Sequence, residues 1–336
     1  MDKFFLVITI SFFLTLVISP LIIKLSKKLK ASQPVYEYVD MHQKKSGTPT
    51  MGGVIFILGI VLTSLIFLNG EHKLTLTTLA VFVAYGIVGF LDDFIKVRYK
   101  HNEGLKPYQK IIFQLLIATI VAFFAYNSEI IGSSIYLPFV NKEIELGIFY
   151  LPLTILVFLA LTNSVNLSDG LDGLASGVGL TYTASFSAIF FTMFLVLQNL
   201  GISSLVLTEY QNLLLVMGAT IGALLAYLLF NSFPAKIFMG DTGSLALGGL
   251  FACFNIFTKQ VLLIPILGVM FVISSVSVIL QVFVFKLKKK RVFLMAPFHH
   301  HLEKKGMHES KIVVIYITIT AIIGIISELL FLVFFK

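Results

Sequence analysis

The hydrophobic positions of this chain fall in long unbroken blocks rather than in alternation. Stretches 4–23, 48–70, 74–91, 111–128, 146–168, 173–208, 210–235, 242–258, 260–285 and 312–327 contain no Asp, Glu, Lys or Arg. A helix needs about 20 apolar residues to cross the hydrocarbon core of a bilayer, and nearly every block reaches or approaches that length. The block at 173–208 reads as one helix followed by an apolar outer loop. The last becomes long enough if its helix continues past Glu328 to Phe335. The pattern predicts an all-α polytopic membrane protein of ten transmembrane helices, with residues 1–336 as a single integral membrane domain. The first block is too long for the apolar core of a cleavable signal and lacks a small-residue cleavage site behind it, so it counts as a span. Between the fourth and fifth blocks, apolar residues alternate around Asn141-Lys142, which predicts a small external β-hairpin within 135–147.

Composition agrees. Charged residues make up 12% of the 336, about half the share in an ordinary soluble domain. The formal net charge of +8 could suggest nucleic acid, but the position of the charges gives another reading. Twenty of the 25 Lys and Arg fall in the loops after the first, third, seventh and ninth spans. By the positive-inside rule those loops are cytoplasmic and both termini lie outside. Every histidine except His72 falls on the same side. Cys253, the single cysteine, lies within a span and excludes an internal disulfide.

The cytoplasmic loops carry the polar chemistry. HQKKSGTPTMGG (42–53) offers Lys44 and Lys45, which could be simple topological anchors, and Thr48, Thr50 and three glycines, which suggest a backbone-rich cradle. LDDFIK (91–96) ends the third span with Asp92 and Asp93. Lys96 is at i+4 and i+3 from them, so a solvated helix-end ion pair is the plain alternative. NSVNLSDGLDGLASG (163–177) sets Asn163 and Asn166, then Asp169 and Asp172, at helical spacing, with Gly170 between the two acids. Turns explain the Asp-Gly steps but not four such side chains. NSFPAKIFMGDTGSLALGG (231–249) puts Asp241 and Thr242 where a helix N-cap belongs. The free N–H groups of that helix would favour a phosphate, while Gly243, Gly248 and Gly249 could serve close helix packing. Carboxylates, lysines and a helix N-terminus at one edge of an apolar bundle suit a hard cation bridging phosphates, as Mg²⁺ does.

Those four stretches and APFHHHLE (296–303), in this order and one per cytoplasmic loop, resemble the motifs of the polyprenyl-phosphate N-acetylhexosamine-1-phosphate transferases. Within that family they closely resemble the branch that makes the first lipid-linked peptidoglycan precursor in bacteria. One departure is slight: Ser168 stands where that branch commonly has Thr, and it keeps the hydroxyl. The resemblance implies a ten-span fold whose five cytoplasmic loops form the active-site cleft. It also implies a homodimer in the bacterial cytoplasmic membrane. The implied reaction is a Mg²⁺-dependent transfer of phospho-N-acetylmuramoyl-pentapeptide from its UDP-linked form to undecaprenyl phosphate, releasing UMP. Nucleoside natural products would be the implied inhibitors. The alternative within the family is another UDP-N-acetylhexosamine as donor.

The resemblance also assigns roles. Asp241 would hold the metal, and Asp92 and Asp93 would be essential, with Lys96 beside them. Lys45, Asp169, Gly170, Asp172 and Phe238 would hold the uridine. Thr50, Lys110, Asn163, Asn166 and Asn231 match further polar positions of the cleft. Span nine contains Pro265 and, as in the family, would be broken and border a groove for the prenyl tail. The three histidines are internal and consecutive, which argues against a tag and against convergence on one zinc ion. His299 and His300 read as donors to substrate, and His301 as a residue that also shapes the loop. The surrounding basic and apolar residues suit a segment lying on the inner leaflet.

Two mechanisms are open: direct attack by the lipid phosphate on the β-phosphate, or prior attack by an aspartate. Asp92 would act as base or would orient the acceptor. Since the second pKa of a phosphate monoester is about 6, orientation is the larger role. A transporter would carry charge near the bilayer midplane, and an intramembrane aspartyl protease would need two facing acids within its spans. Neither pattern is present in this sequence.

Overall fold

The structure is a computed structural model and describes residues 2–29, 47–99, 104–140 and 142–334. Lys45 lies outside the described residues, as do Lys44 and the other charges of 30–46. Backbone polar groups facing lipid have no water to bond, so the apolar blocks resolve into helices that satisfy themselves. They are α1 (Asp2–Lys28), α2 (Gly53–Phe67), α3 (Lys73–Tyr99), α4 (Pro107–Tyr126), α5 (Tyr150–Ser168), α6 (Leu174–Asn199), α7 (Ser204–Asn231), α8 (Gly240–Phe257), α9 (Ile264–Leu267), α10 (Val269–Lys288), α11 (Phe298–Lys304) and α12 (Glu309–Phe334). Eight of these segments are long and apolar enough to cross a membrane, α5 counted with its preceding turn as Gly147–Ser168. The protein is therefore a largely helical, polytopic membrane protein. The two shorter helices expected to span are α2, with 15 residues, and α8, with 18.

The ninth block is broken, as expected. A 3-10 turn at Val261–Leu263 leads into α9, and Gly268, at φ −89° and ψ 19°, separates α9 from α10. The predicted hairpin also forms. Strand β1 (Ser134–Leu137) pairs antiparallel with β2 (Lys142–Glu145), Leu137 opposite Lys142. Lys142 thus opens the second strand rather than forming the turn. Here burial of β1 outweighs local turn preference: Ser134–Tyr136 are covered while β2 is exposed throughout. The Tyr136 N–H donates to the Lys259 carbonyl, and the Lys259 ammonium pairs with Glu143 at 2.9 Å, which fastens the hairpin to the end of α8.

Helix α8 is the centre of the bundle. Every residue from Thr242 through Phe257 is buried, against α3 on one side and α5 on another. Such a helix has no lipid to face, which is why it can carry Ser244 and Asn255. Small residues let its neighbours approach to backbone contact. A Cβ on Gly89 of α3 would overlap the Asp241 carbonyl, and one on Gly53 of α2 would overlap the backbone of Gly243. Gly248 and Gly249 likewise abut Thr162 and Tyr85, so the glycines of 243–249 serve packing. At the end of the bundle near the hairpin, Glu209 of α7 accepts the N–H groups of Lys73 (2.5 Å) and Leu74 (3.1 Å) and caps α3.

Candidate active site

Helix direction brings the sequence-predicted acids together at one end of the bundle. Asp92 and Asp93 lie in the last two turns of α3, Lys110 in the first turn of α4, Asn166 in the last turn of α5, and Asp241 at the start of α8. The Asp241 carboxylate is the hub. Its Oδ2 accepts the ammonium groups of Lys110 at 2.8 Å and Lys96 at 3.1 Å, and its Oδ1 accepts the Asn166 amide at 2.7 Å. Asn166 also donates to Ser244 Oγ at 2.9 Å. Lys96 reaches back one helical turn to Asp92 Oδ2 at 2.6 Å, and Asp92 Oδ1 accepts the Leu105 N–H at 2.9 Å. Asp92 is therefore a bracket for Lys96 as well as an acid.

Asp93 has a different task. It is fully buried, and its oxygens accept the N–H of Asp241 (3.1 Å) and the N–H (2.9 Å) and hydroxyl (2.7 Å) of Thr242. This corrects two expectations about α8. Its cap comes from the side chain of another helix, not from Asp241 or Thr242, since the helix already starts at Gly240 with φ +70°. Two of the N–H groups expected to receive a phosphate, those of Asp241 and Thr242, are committed to Asp93.

The first loop makes a similar commitment. Gly52 and Gly53 donate their N–H groups to the carbonyls of Phe238 and Met239, and Phe238 donates to Pro49. The segment expected to cradle a ligand is instead stitched to the start of α8, and Phe238 is held in that seam. Thr50 is different. It is 1% exposed, its hydroxyl finds no partner among the described residues, and it borders Gly240 together with Asp93 Oδ2.

Asp169 ends α5, partly exposed. Burial of its carboxyl, with Asp241, Asp93 and Asp172 nearby, raises its pKa well above the ordinary carboxylate value, and the Gly240 N–H acts in the opposite sense. Asp172 is buried and works on the fold: its Oδ2 accepts the Ala235 N–H at 3.0 Å, and its own N–H donates to Glu309 at 2.6 Å. Asn163 lies one turn deeper than the hub, donating to Gln114 at 2.9 Å. Asn231 is buried between Ser176 and the Ile237 carbonyl. The structure thus gathers Asp92, Asp93, Lys96, Lys110, Asn166 and Asp241 and uses Asn163, Asn231 and Asp172 to brace the walls.

The histidines form the seven-residue helix α11. His299 is fully buried, its ring 4.3 Å from that of His300. A Cβ on Gly170 would collide with His299 Nε2 and lie 3.0 Å from His300 Nε2, so α11 rests on the 169–172 loop through a glycine. The ring nitrogen Nδ1 of His300 is 2.6 Å from Glu303. His301 points elsewhere: it accepts the Leu294 N–H at 3.1 Å and packs between Phe293 and Phe298. It shapes the loop, and its pKa is lowered by partial desolvation and by Lys305.

Sequence reasoning missed three contributors. Ser244 follows Asp241 by one turn. Glu309 is the first-turn acid of α12. Gln114 was signalled only as a lone amide in an apolar block.

Asp92, Asp93 and Asp241 offer oxygens all within 4.8 Å of one another, the trio of this kind among the described residues. Three hard carboxylates and the unpartnered Thr50 hydroxyl form a donor set that fits a divalent cation.

Comparison with known proteins extends this picture. The profile of Glycosyl transferase family 4 matches residues 74–259, and that of phospho-N-acetylmuramoyl-pentapeptide-transferase signature 1 matches residues 45–57. The chain is 44% identical to the phospho-N-acetylmuramoyl-pentapeptide-transferase of Clostridium novyi (strain NT) over 325 residues, 96% of this chain and 95% of the relative. It is 43% identical to the enzyme of that name in Clostridium perfringens (strain SM101 / Type A), over 97% of this chain and 96% of the relative. For the one in Clostridioides difficile (strain 630), identity is 41%, over 95% and 94%.

Proposed function

The chain belongs to the phospho-N-acetylmuramoyl-pentapeptide-transferase family, and from that premise we propose how its own residues carry out the transfer. The substrates are UDP-N-acetylmuramoyl-pentapeptide and undecaprenyl phosphate. A non-bridging oxygen of the lipid phosphate bonds to the β-phosphorus. The bond from that phosphorus to the oxygen bridging to the α-phosphate breaks, and UMP leaves with the electron pair. The observation that carries this reading is the convergence of Lys96 and Lys110 on Asp241 at the end of an apolar bundle.

Mg²⁺, when bound at Asp241, would neutralise charge on the diphosphate. Everything else falls to the chain. Phosphoryl transfer needs positioning and charge stabilisation more than covalent help. Lys96 and Lys110 are the cations for the phosphate oxygens, and Asp241, which pairs with both, would release them to the substrate. Asp92 keeps Lys96 in place and orients the acceptor, because a phosphate already mostly ionised at pH 7 gains little from a base. Asp93 fixes the backbone of Asp241. Uridine contacts come from Asp169, Gly170 and Phe238, with Asp172 bracing that wall and Lys45 assigned by resemblance alone. Thr50, Asn163, Asn166 and Asn231 line or support the cleft. His299 and His300, standing over Gly170, donate to the donor's phosphate or sugar. The prenyl tail runs along the broken α9–α10 segment.

The same reading has ten helices crossing the bacterial cytoplasmic membrane as one catalytic unit, α2 and α8 included. The five polar loops face the cytoplasm, the termini lie outside, and two copies pair. Nucleoside natural products that mimic the uridine moiety would compete for this cleft.

The test is UMP release by the purified protein given nucleotide sugar, undecaprenyl phosphate and Mg²⁺. Release only when all three are present supports direct transfer. Stoichiometric UMP release without the lipid, with a phospho-sugar mass adduct on the protein, would overturn it in favour of an aspartyl intermediate.

A further inference from the structure

The loop that joins α5 to α6, residues 169–173, is held from outside as well as from within. Its local bonds are short-range: the Asp169 N–H donates to the Asn166 carbonyl and the Leu174 N–H to that of Leu171. Helix α6 starts from it without a side-chain cap. The outside grip comes at two points. At Gly170 the rings of His299 and His300 lie against the backbone. At Asp172 the N–H donates to Glu309 Oε1 at 2.6 Å, and the carboxylate accepts the Ala235 N–H at 3.0 Å. Asp172 is 5% exposed and Glu309 8%, so bulk water competes little for these bonds.

The histidines and Glu309 belong to one continuous piece of chain. Helix α11 closes with Gly306 at φ +89°, its N–H donating to the Glu303 carbonyl (2.8 Å) and that of Met307 to the Leu302 carbonyl (3.2 Å). This is the bonding of a Schellman turn. His308 follows, its ring edge-on to Phe233 with centroids 5.2 Å apart, and its carbonyl accepts the N–H groups of Lys311 and Ile312. Glu309, the first residue of α12, is thus tied to the histidine helix by a bonded turn. The 169–172 loop, the 233–235 segment and the α11–α12 turn meet pairwise as a knot.

We infer that Glu309 is a positioning residue for the nucleotide end of the donor substrate, given that Asp169 and Gly170 contact the uridine as proposed above. By holding the Asp172 N–H it sets the distance between the 169–172 loop and the rings of His299 and His300, and hence where the uridine seats. The plain alternative is that a carboxylate in the first turn of a helix stabilises α12 through the helix dipole. That role needs charge and no direction. Here Oε1 is aimed at an N–H 137 positions away in sequence, which needs an acceptor at a fixed reach. The two roles differ in what a glutamine would do.

Two measurements on the purified full chain separate them: UMP affinity by calorimetry, and steady-state UMP release with each substrate varied in turn. Glu309→Ala should weaken UMP binding and raise KM for the nucleotide sugar by about tenfold, the scale of one hydrogen bond to a charged group. KM for undecaprenyl phosphate should stay within about twofold, and kcat should fall less than the donor KM rises. Glu309→Gln keeps an acceptor at the same reach without the charge and should recover most of the loss. Glu309→Asp keeps the charge but shortens the reach. It should resemble Glu309→Ala, and it decides the matter if that variant does not fold. Wild-type UMP affinity in the Ala or Asp variant would overturn the inference alone. So would a Gln variant as impaired as Ala, which means charge is what counts, or an equal rise in both KM values, which means general loosening. A wild type that neither binds nor releases UMP would overturn the reading of the site, and this inference with it.

Discussion

Asp93 and Asp241 sit 148 positions apart in sequence, yet the carboxylate of the first accepts the backbone N–H of the second at 3.1 Å. Two adjacent acids on α3 thus do different work. Asp92 brackets a lysine side chain, whereas Asp93 anchors a main chain. The Asp93→Asn variant keeps the shape, leaves one oxygen and turns an N–H donor toward other donors. It should cost about 1.5–3 kcal/mol, the usual range for a hydrogen bond to a charged group. Turnover should fall about hundredfold, since small displacements of a reacting group have that effect. Thermal melting and UMP release measure the two effects. A variant equally stable and fully active would contradict the capping role.

Asp241→Asn should behave differently. The N–H groups of α8 remain capped, so helix stability changes little, but the hub for two lysines, and with it the proposed cation site, is gone. UMP release should fall by at least about a hundredfold, the scale seen when a charge-stabilising group is removed. Mn²⁺ offered in place of Mg²⁺ provides a second readout through its paramagnetic signal. Wild type should broaden and bind, and Asp241→Asn should not. Chelation of the wild type should stop release, and added Mg²⁺ should restore it. Persistent activity in excess chelator would remove the metal from the mechanism.

The histidine helix yields a contrast within one triplet. Gly170→Ala places a methyl on the His299 and His300 rings and should lower turnover more than tenfold, as should His299→Ala or His300→Ala, by disturbing contacts that stabilise the transition state. His301→Ala removes the Leu294 contact and the packing on Phe293 and Phe298. Its loss should fall mainly on stability, with a smaller effect on kcat. Normal turnover in both the His299 and His300 variants would refute their assignment to substrate.

Asp169 gives a pH dependence with a definite sign. Its pKa is raised in the folded protein, so the folded state binds a proton that the unfolded state has released above about pH 4. Stability from this group is complete below that value and is lost as pH rises toward the raised folded pKa. Melting temperature in detergent should therefore decline across that window, and Asp169→Asn should flatten the decline. A steeper decline in the variant would reverse the assignment.

The apolar blocks made the helices legible, because a run without charge is a statement about solvent that needs no tertiary information. The meeting of acids, lysines and an amide was legible too: Asp92, Lys96, Lys110, Asn166 and Asp241 do converge. What was hidden is who bonds to whom. The cap on α8 depends on α3 passing within backbone contact at Gly89, a relation between segments far apart in sequence. Asn163 and Asn231 look identical in sequence to Asn166, yet helical phase and depth turn them toward Gln114 and Ser176. The N–H groups of Gly52 and Gly53 could have served a ligand or a seam, and only the position of 237–239 decides for the seam.

The glycine contacts carry a further consequence. At Gly89 and Gly53 the chain holds α8 by main chain against main chain, which leaves no rotamer to adjust and no methyl to trade. The acid-and-lysine cluster is thus cast in place. By contrast, α11 and the segment leading into it are clamped by exchangeable side chains: Gln281, which accepts the N–H groups of Val292 and Phe293, Glu303 within the helix and the histidines themselves. Anyone seeking to alter which sugar nucleotide this scaffold accepts should vary the clamped part and leave the cast part alone.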